Sequence, residues 1–223
     1  MIRFVGERAA FRRRSAWCTL IVGVWWLVST AHAESLTALD RYLSGLESWR
    51  AEFSQSITDS RGRMRSPQSG RLLIQRPGKF RWEIGPKAGA AAQVMVADGR
   101  NLWFLDADLD QVTVRPSGSG EAATPAMLLA GTIPLRSKFN VSAAGRKEGL
   151  DWVRVSPKRA EGEFKEMRFG FAGLELRRLE IDDKLGQRAV MVFDTSVRNG
   201  RIEASEFRFA PPPGADVIGK PLE

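Results

Sequence analysis

The chain has 223 residues, 43% of them hydrophobic and 27% charged, with a formal net charge of +8 and a single cysteine and histidine. Cys18 and His32 both fall in the first 33 residues. The remainder therefore has no disulfide, thiolate nucleophile, histidine-based triad, or His- or Cys-ligated zinc, which leaves carboxylate or lysine chemistry or none. Five of the 34 basic and one of the 26 acidic residues precede Glu34, so residues 34–223 carry only +4, with both signs interleaved. That balance argues against a nucleic-acid surface.

Residues 1–33 read as a cleavable secretory leader. Arg3, Arg8, Arg12, Arg13 and Arg14 form a basic start, residues 15–33 carry no charge, and Ala31-His32-Ala33 offers the small residues that signal peptidase requires. The uncharged stretch is near the lower limit for a membrane span, but its strongly apolar part, 17–28, is short. Lipid attachment at Cys18 needs a small residue before it, and Trp17 stands there. The expected product begins at Glu34, is exported and soluble, and forms one domain over 34–223.

That domain opens with a helix. Leu36, Leu39, Leu43 and Leu46 recur at three- and four-residue spacing, with Ser35 available as N-cap. After Phe53 the period changes to two, in Leu72/Ile74, Phe80/Trp82/Ile84, Val94/Val96, Val112/Val114, Phe139/Val141, Phe169/Phe171, Leu174/Leu176, Val190/Val192 and Phe207/Phe209. Turn signals at Asp98-Gly99, Asp183-Lys184-Leu185-Gly186 and Asn199-Gly200 separate these runs, which predicts an antiparallel meander of about ten strands. Thr124-Pro125-Ala126-Met127-Leu128-Leu129-Ala130-Gly131 interrupts it as a short helix with capping Thr, first-turn Pro and terminal Gly. A sheet of that size with two short helices either closes into a barrel or leaves a lined cavity.

Ten Phe and four Trp remain after the leader, with Tyr42 as the only phenol. Phe80, Trp82, Phe104, Trp152, Phe164, Phe169, Phe171, Phe193, Phe207 and Phe209 all sit in strand-like runs. Aromatics without polar tips suit a barrel core or a pocket for alkyl chains equally well. Composition leaves both readings open.

An ordered set of motifs then narrows the reading. Arg76-Pro77-Gly78-Lys79-Phe80-Arg81-Trp82-Glu83 is followed by Val96-Ala97-Asp98-Gly99, Leu102-Trp103, Asp106, Asp108-Leu109, Gln111-Val112-Thr113-Val114, the Thr124-Pro125 helix, and Phe207-Arg208-Phe209-Ala210-Pro211-Pro212-Pro213-Gly214-Ala215-Asp216-Val217-Ile218. In this order and spacing, over residues 36–218, the chain resembles the LolA family of periplasmic carriers of outer-membrane lipoproteins.

The resemblance implies an incomplete, unclosed antiparallel β-barrel, mainly β, whose apolar cavity is covered by a lid of short α-helices. It implies a monomeric, non-enzymatic periplasmic carrier without cofactor or metal. Such a carrier takes triacylated lipoproteins from an inner-membrane ABC transporter and hands them to an outer-membrane acceptor lipoprotein, LolB. By the same resemblance Arg76 is the latch that bonds lid carbonyls when no ligand is bound. Phe80 is expected at the cavity mouth, Trp82 in the plain core, and Met127, Leu128 and Leu129 on the ligand-facing side of the lid.

Two features depart from the family pattern. Leu105 stands where a Tyr is usual, near the lid, and residues 87–93 make a hairpin about four residues longer than common ones. Arg61, Arg63, Arg65, Arg71, Arg76, Lys79 and Arg81 form a cation-rich stretch that reads as a solvated hairpin or as a rim that steers docking to acidic partners. The alternatives are a membrane-tethered LolB-like acceptor, a general periplasmic lipid-binding protein, and a lipid-directed enzyme using Asp98 or Asp106 as base, although both aspartates read first as turn formers.

Overall fold

The computed structural model describes residues 36–65, 67–85, 92–118, 124–159 and 164–223, all within the unit that runs from 35 to 223. The expected leader, 1–33, and residues 87–91 of the long hairpin lie outside the described residues.

Among the described residues twelve strands form one sheet: β1 (Ser48–Thr58), β2 (Gln68–Gln75), β3 (Lys79–Gly85), β4 (Gln93–Asp98), β5 (Asn101–Asp106), β6 (Gln111–Pro116), β7 (Phe139–Lys147), β8 (Leu150–Pro157), β9 (Phe164–Ala172), β10 (Glu175–Asp183), β11 (Arg188–Arg198) and β12 (Asp216–Ile218). Their order is β12-β6-β5-β4-β3-β2-β1-β11-β10-β9-β8-β7, antiparallel except for β12 beside β6. The meanders β1–β6 and β7–β11 are zipped together by β1 and β11, from Trp49↔Arg198 to Thr58↔Arg188. The edges β7 and β12 do not pair, so the barrel is unclosed, as expected.

β1 departs from the sequence expectation. It begins at Ser48, where Trp49, Ala51 and Phe53 are buried and Arg50, Glu52 and Ser54 are exposed. This period-two run follows directly on the leucine-spaced helix, and the leucine spacing masked its start. The first helix, α1 (Ala38–Leu43), is correspondingly short, and its N-cap is Thr37, not Ser35. Thr37 accepts from the Asp40 amide while the Asp40 carboxylate takes the Thr37 N–H, a reciprocal box that satisfies two otherwise orphaned donors. α2 (Pro125–Ala130) forms as expected, and an unexpected third helix, α3 (Leu135–Lys138), follows it.

All six residues of α2 are buried, because the helix lies inside the curve of the sheet. Around it and α1 the inner face supplies Trp49, Phe53, Leu72, Ile74, Phe80, Phe169, Phe171 and Phe193 to one core. A second, smaller core lies on the outer face. There Val94, Val96, Trp103, Leu105, Val112 and Val114 are covered by Phe209 and Ala215 of the C-terminal segment. Leu105 therefore points away from the lid, so its departure from the family Tyr removes nothing there. The Phe207/Phe209 run is likewise not a strand: Phe207 ends a 3-10 helix (Ala204–Phe207), and Phe209 stacks at 5.4 Å on Trp103. Arg81 Nη1 donates to Glu206 O at 3.3 Å, and Leu222 and Asn101 exchange two hydrogen bonds, which fastens this segment down.

Candidate functional site: an apolar cavity beside the second helix

β3, β4 and β5 face β9 and β10 across the curve of the sheet, and between them lies an open cavity of about 260 Å³. Trp82, Ile84, Met95, Phe104, Phe164, Met167 and Ile181 line it, with Thr124 and Pro125 of the α2 start and with Gln93 and Asp183 as its other polar residues. Two of the polar groups are already engaged: Thr124 Oγ1 caps Met127 N at 3.3 Å, and Asp183 Oδ1 accepts from the amides of Leu185 and Gln187 at 2.8 and 2.7 Å. Such a wall, mostly hydrocarbon, favours an alkyl chain as its occupant. The volume lies below the usual 300–1,000 Å³ of ligand pockets, so a larger occupant requires the lid to move.

The expected site residues are distributed unevenly around this space. Phe80 and Trp82 share one face of β3 and both belong to the core cluster, as expected for Trp82, but it is Trp82 that also lines the cavity, whereas Phe80, expected at its mouth, is fully buried away from it. Register decides it: Phe80 is flanked by Ile74 and Ala97, close to the turn on which α2 rests, and Trp82 sits further along, between Leu72 and Met95. Among the described residues Trp82 Nε1 is buried without a partner. Met127, Leu128 and Leu129 are buried in the core cluster, and the α2 residues on the cavity wall are Pro125 and its cap Thr124. Met95, Met167 and Ile181 were not named from sequence, and Ile84 was named only as part of a strand; Ile84 alternates with Trp82 on β3 and Met167 with Phe169 on β9, whereas β4 and β10 carry no aromatic to mark Met95 and Ile181.

Arg76 ends the β2 arm, in the turn to β3. Its Nη1 donates to Leu43 O, the last residue of α1, at 3.0 Å. The same guanidinium lies against the end of α2, where Gly131 closes the helix at φ 74° and a Cβ would stand 3.0 Å from Arg76 Nη2. The turn backbone joins in, with Gly78 N–H donating to Ala130 O at 2.9 Å and Arg76 N–H to Glu47 O at 2.8 Å. A helix leaves its last carbonyls unpaired and slightly negative, so the guanidinium bonds the exit of α1 and sits in the favourable field at the exit of α2. Arg76 thus touches the exits of both lid helices. Arg198 at the end of β11, which carries no sequence signal, also bonds α1, through Tyr42 O and Ser44 O.

The cation-rich stretch does not make one rim. Arg61, Arg63 and Arg65 lie at one end of β2 and Arg76 and Lys79 at the other, about 25 Å apart for a strand of this length. Arg71 and Arg81 between them are paired with Glu83. Asp98 accepts from the Arg100 and Asn101 amides and from Trp103 Nε1. Burial pushes its pKa up, but these donors outweigh burial and hold it below the ordinary carboxylate value. It is a turn former, and Asp106 likewise caps the 3-10 helix Ala107–Leu109. Among the described residues no three metal-ligating side chains cluster, and no helix is long and apolar enough to cross a membrane.

The family model for the outer membrane lipoprotein carrier protein LolA matches residues 44–210. An outer-membrane lipoprotein carrier protein from Dechloromonas aromatica is 40% identical over 190 residues, covering 85% of this chain and 90% of the relative. One from Chromobacterium violaceum is 36% identical over 192 residues, covering 86% and 91%. Among solved structures, a LolA superfamily protein from Nitrosomonas europaea aligns at 10% identity with a TM-score of 0.45, over 78% of this chain and 99% of that one. With three quarters of its length inside the family model and close relatives along nearly all of it, the chain belongs to the outer-membrane lipoprotein carrier family LolA.

Proposed function

We propose that this protein is a periplasmic carrier that shelters the acyl chains of lipoproteins beneath its lid. It takes them from an inner-membrane ABC transporter and delivers them to an outer-membrane acceptor of the LolB kind, making and breaking no covalent bond. The observation that carries this reading is the apolar cavity, whose neighbouring lid helices are joined at their exits by one arginine. Each buried CH₂ is worth about 0.8 kcal/mol, so an acyl chain of roughly 16 carbons resists crossing water by on the order of 10 kcal/mol. An apolar shell removes that barrier without catalysis, which suits a chain with neither histidine nor cysteine after residue 33. Arg76 serves as the latch: ligand entry has to separate the helix ends it joins, so cargo binding and lid closure compete.

The test is release of newly made lipoproteins from spheroplasts by the purified mature protein, with mass spectrometry of what co-purifies with it. Release together with bound acylated peptides is expected. No release would overturn the reading, and an acylated Cys18 in place of a free Glu34 terminus would move it to a tethered acceptor.

A further inference from the structure

α1 is six residues long, too short to hold its shape alone, and its exit carbonyls need partners. They find them on both sides of β1, the strand that α1 feeds. From the β2 side Arg76 takes Leu43 O at 3.0 Å. From the β11 side Arg198 Nη2 takes Tyr42 O at 3.3 Å and Ser44 O at 2.8 Å, and Asn199 Nδ2 takes Gly45 O at 2.8 Å. Asn199 Oδ1 also accepts from Glu47 N at 3.0 Å, so one side chain grips the connection to β1 by both its ends. The Arg198 guanidinium lies 6.0 Å above the Tyr42 ring. Four consecutive carbonyls, 42–45, are thus claimed by three side chains. Arg76 also touches α2, whereas among the described residues the hydrogen bonds of Arg198 and Asn199 to the lid go to α1 and its exit alone.

We propose that Arg198 and Asn199 form a second clasp, specific to α1, which keeps that helix docked while α2 is released. The proposal rests on the lid reading above and deepens it. The lid is divided: one arginine answers to both helices, and a separate pair fixes one of them as the static half. Cargo then enters by moving α2 and the adjoining residues against a stationary α1. Arg198 is a positioning residue here, since it is not on the cavity wall.

Tyr42 is the only tyrosine in the chain, it lies on α1, and it is 1% exposed against Phe171 and Trp49. Its ionisation therefore reports α1 docking directly. Burial raises its pKa, and the nearby Arg198 charge pulls it the other way. Removing Arg198 while α1 stays docked makes Tyr42 harder to ionise; removing it with loss of docking makes ionisation easier. The two outcomes differ in sign.

The experiment compares wild type, Arg198→Leu, Arg198→Lys, Asn199→Gly and Arg76→Leu by phenolate absorbance after a rapid jump to high pH, and by hydrogen exchange at neutral pH. Arg198→Leu and Asn199→Gly are expected to speed exchange at the amides of Ser44, Leu46 and Glu47 about tenfold, with Leu128, Gly131 and Thr132 unchanged. Tyr42 should ionise more readily in Arg198→Leu, and Arg198→Lys should restore part of the protection. Asn199→Gly keeps the backbone at φ 57° accessible, so it tests the clasp even where the arginine variant folds poorly. Harder ionisation in Arg198→Leu, uniform acceleration along the chain, or release of α1 by Arg76→Leu to the same extent would overturn the proposal. Unchanged exchange at α2 in Arg76→Leu, with the Arg198 effects intact, counts against the Arg76 latch and supports the separate clasp.

Discussion

Replacing Arg76 with Leu tests the latch quantitatively. Among the described residues the side chain makes one hydrogen bond to the lid, Nη1 to Leu43 O at 3.0 Å, and lies against Gly131. A bond from a charged donor is worth about 1.5–3 kcal/mol. The lower end applies, because Arg76 is half-buried and Leu43 O keeps a second donor, Leu46 N at 3.3 Å. About 1.5 kcal/mol shifts the balance between closed and open lid roughly tenfold toward open. Apparent affinity for an alkyl ligand then rises by up to that factor, and onward transfer slows, since lid closure no longer helps expel cargo. Titration with a fluorescent fatty-acid probe reads the affinity, and transfer of preloaded lipoprotein to acceptor-bearing membranes reads the second step. A variant with native circular dichroism, unchanged probe affinity and normal transfer would refute the reasoning.

Three further outcomes follow from the same geometry. Gly131→Ala forces a Cβ into left-handed backbone and toward Arg76, so it should cost about 1–2 kcal/mol and lower the thermal midpoint by several degrees. At alkaline pH, burial keeps the Tyr42 phenol neutral in the fold while the unfolded phenol ionises near 10. The stability it contributes is complete below that value and is lost as pH rises above it, so wild type should lose thermal stability more steeply than Tyr42→Phe between pH 9.5 and about 11. At the acid end the sign is opposite. Burial raises the pKa values of Asp40 and Asp98, but their hydrogen bonds, with Arg136 beside Asp40, outweigh it and hold both below the ordinary 3.8. Their contribution is present above that value and lost below it, so thermal midpoints should be level from pH 5 to 8 and fall only below about 4.

What the sequence made legible was local. α2 is specified by Thr124, Pro125 and Gly131 within eight residues, and the turn at Asp98-Gly99 joins β4 to β5 where its dipeptide placed it, whereas Asn199-Gly200 ends β11 in a bend with no later strand paired to β11. What it concealed depends on where an element sits in the finished sheet. Phe80 and Trp82 have identical local patterning and both reach the core; only the register against β2 and β4 puts Trp82, and not Phe80, on the cavity wall. Phe104 and Leu105 could have been sorted to opposite faces by alternation alone, since Phe104 lines the cavity and Leu105 packs outside. The Arg198 clasp was invisible for a deeper reason. Its partners lie more than 150 residues away, and they are backbone carbonyls, which carry no side-chain identity for a sequence to display. A helix exit leaves such carbonyls unpaired whatever its residues are, so a short lid helix creates acceptors that any well-placed donor can use. The donor side alone is written in side chains. Arginines that end a strand beside the connection from a short helix are therefore the places to look for lid contacts in this fold. Arg76 and Arg198 occupy that position on opposite sides of β1.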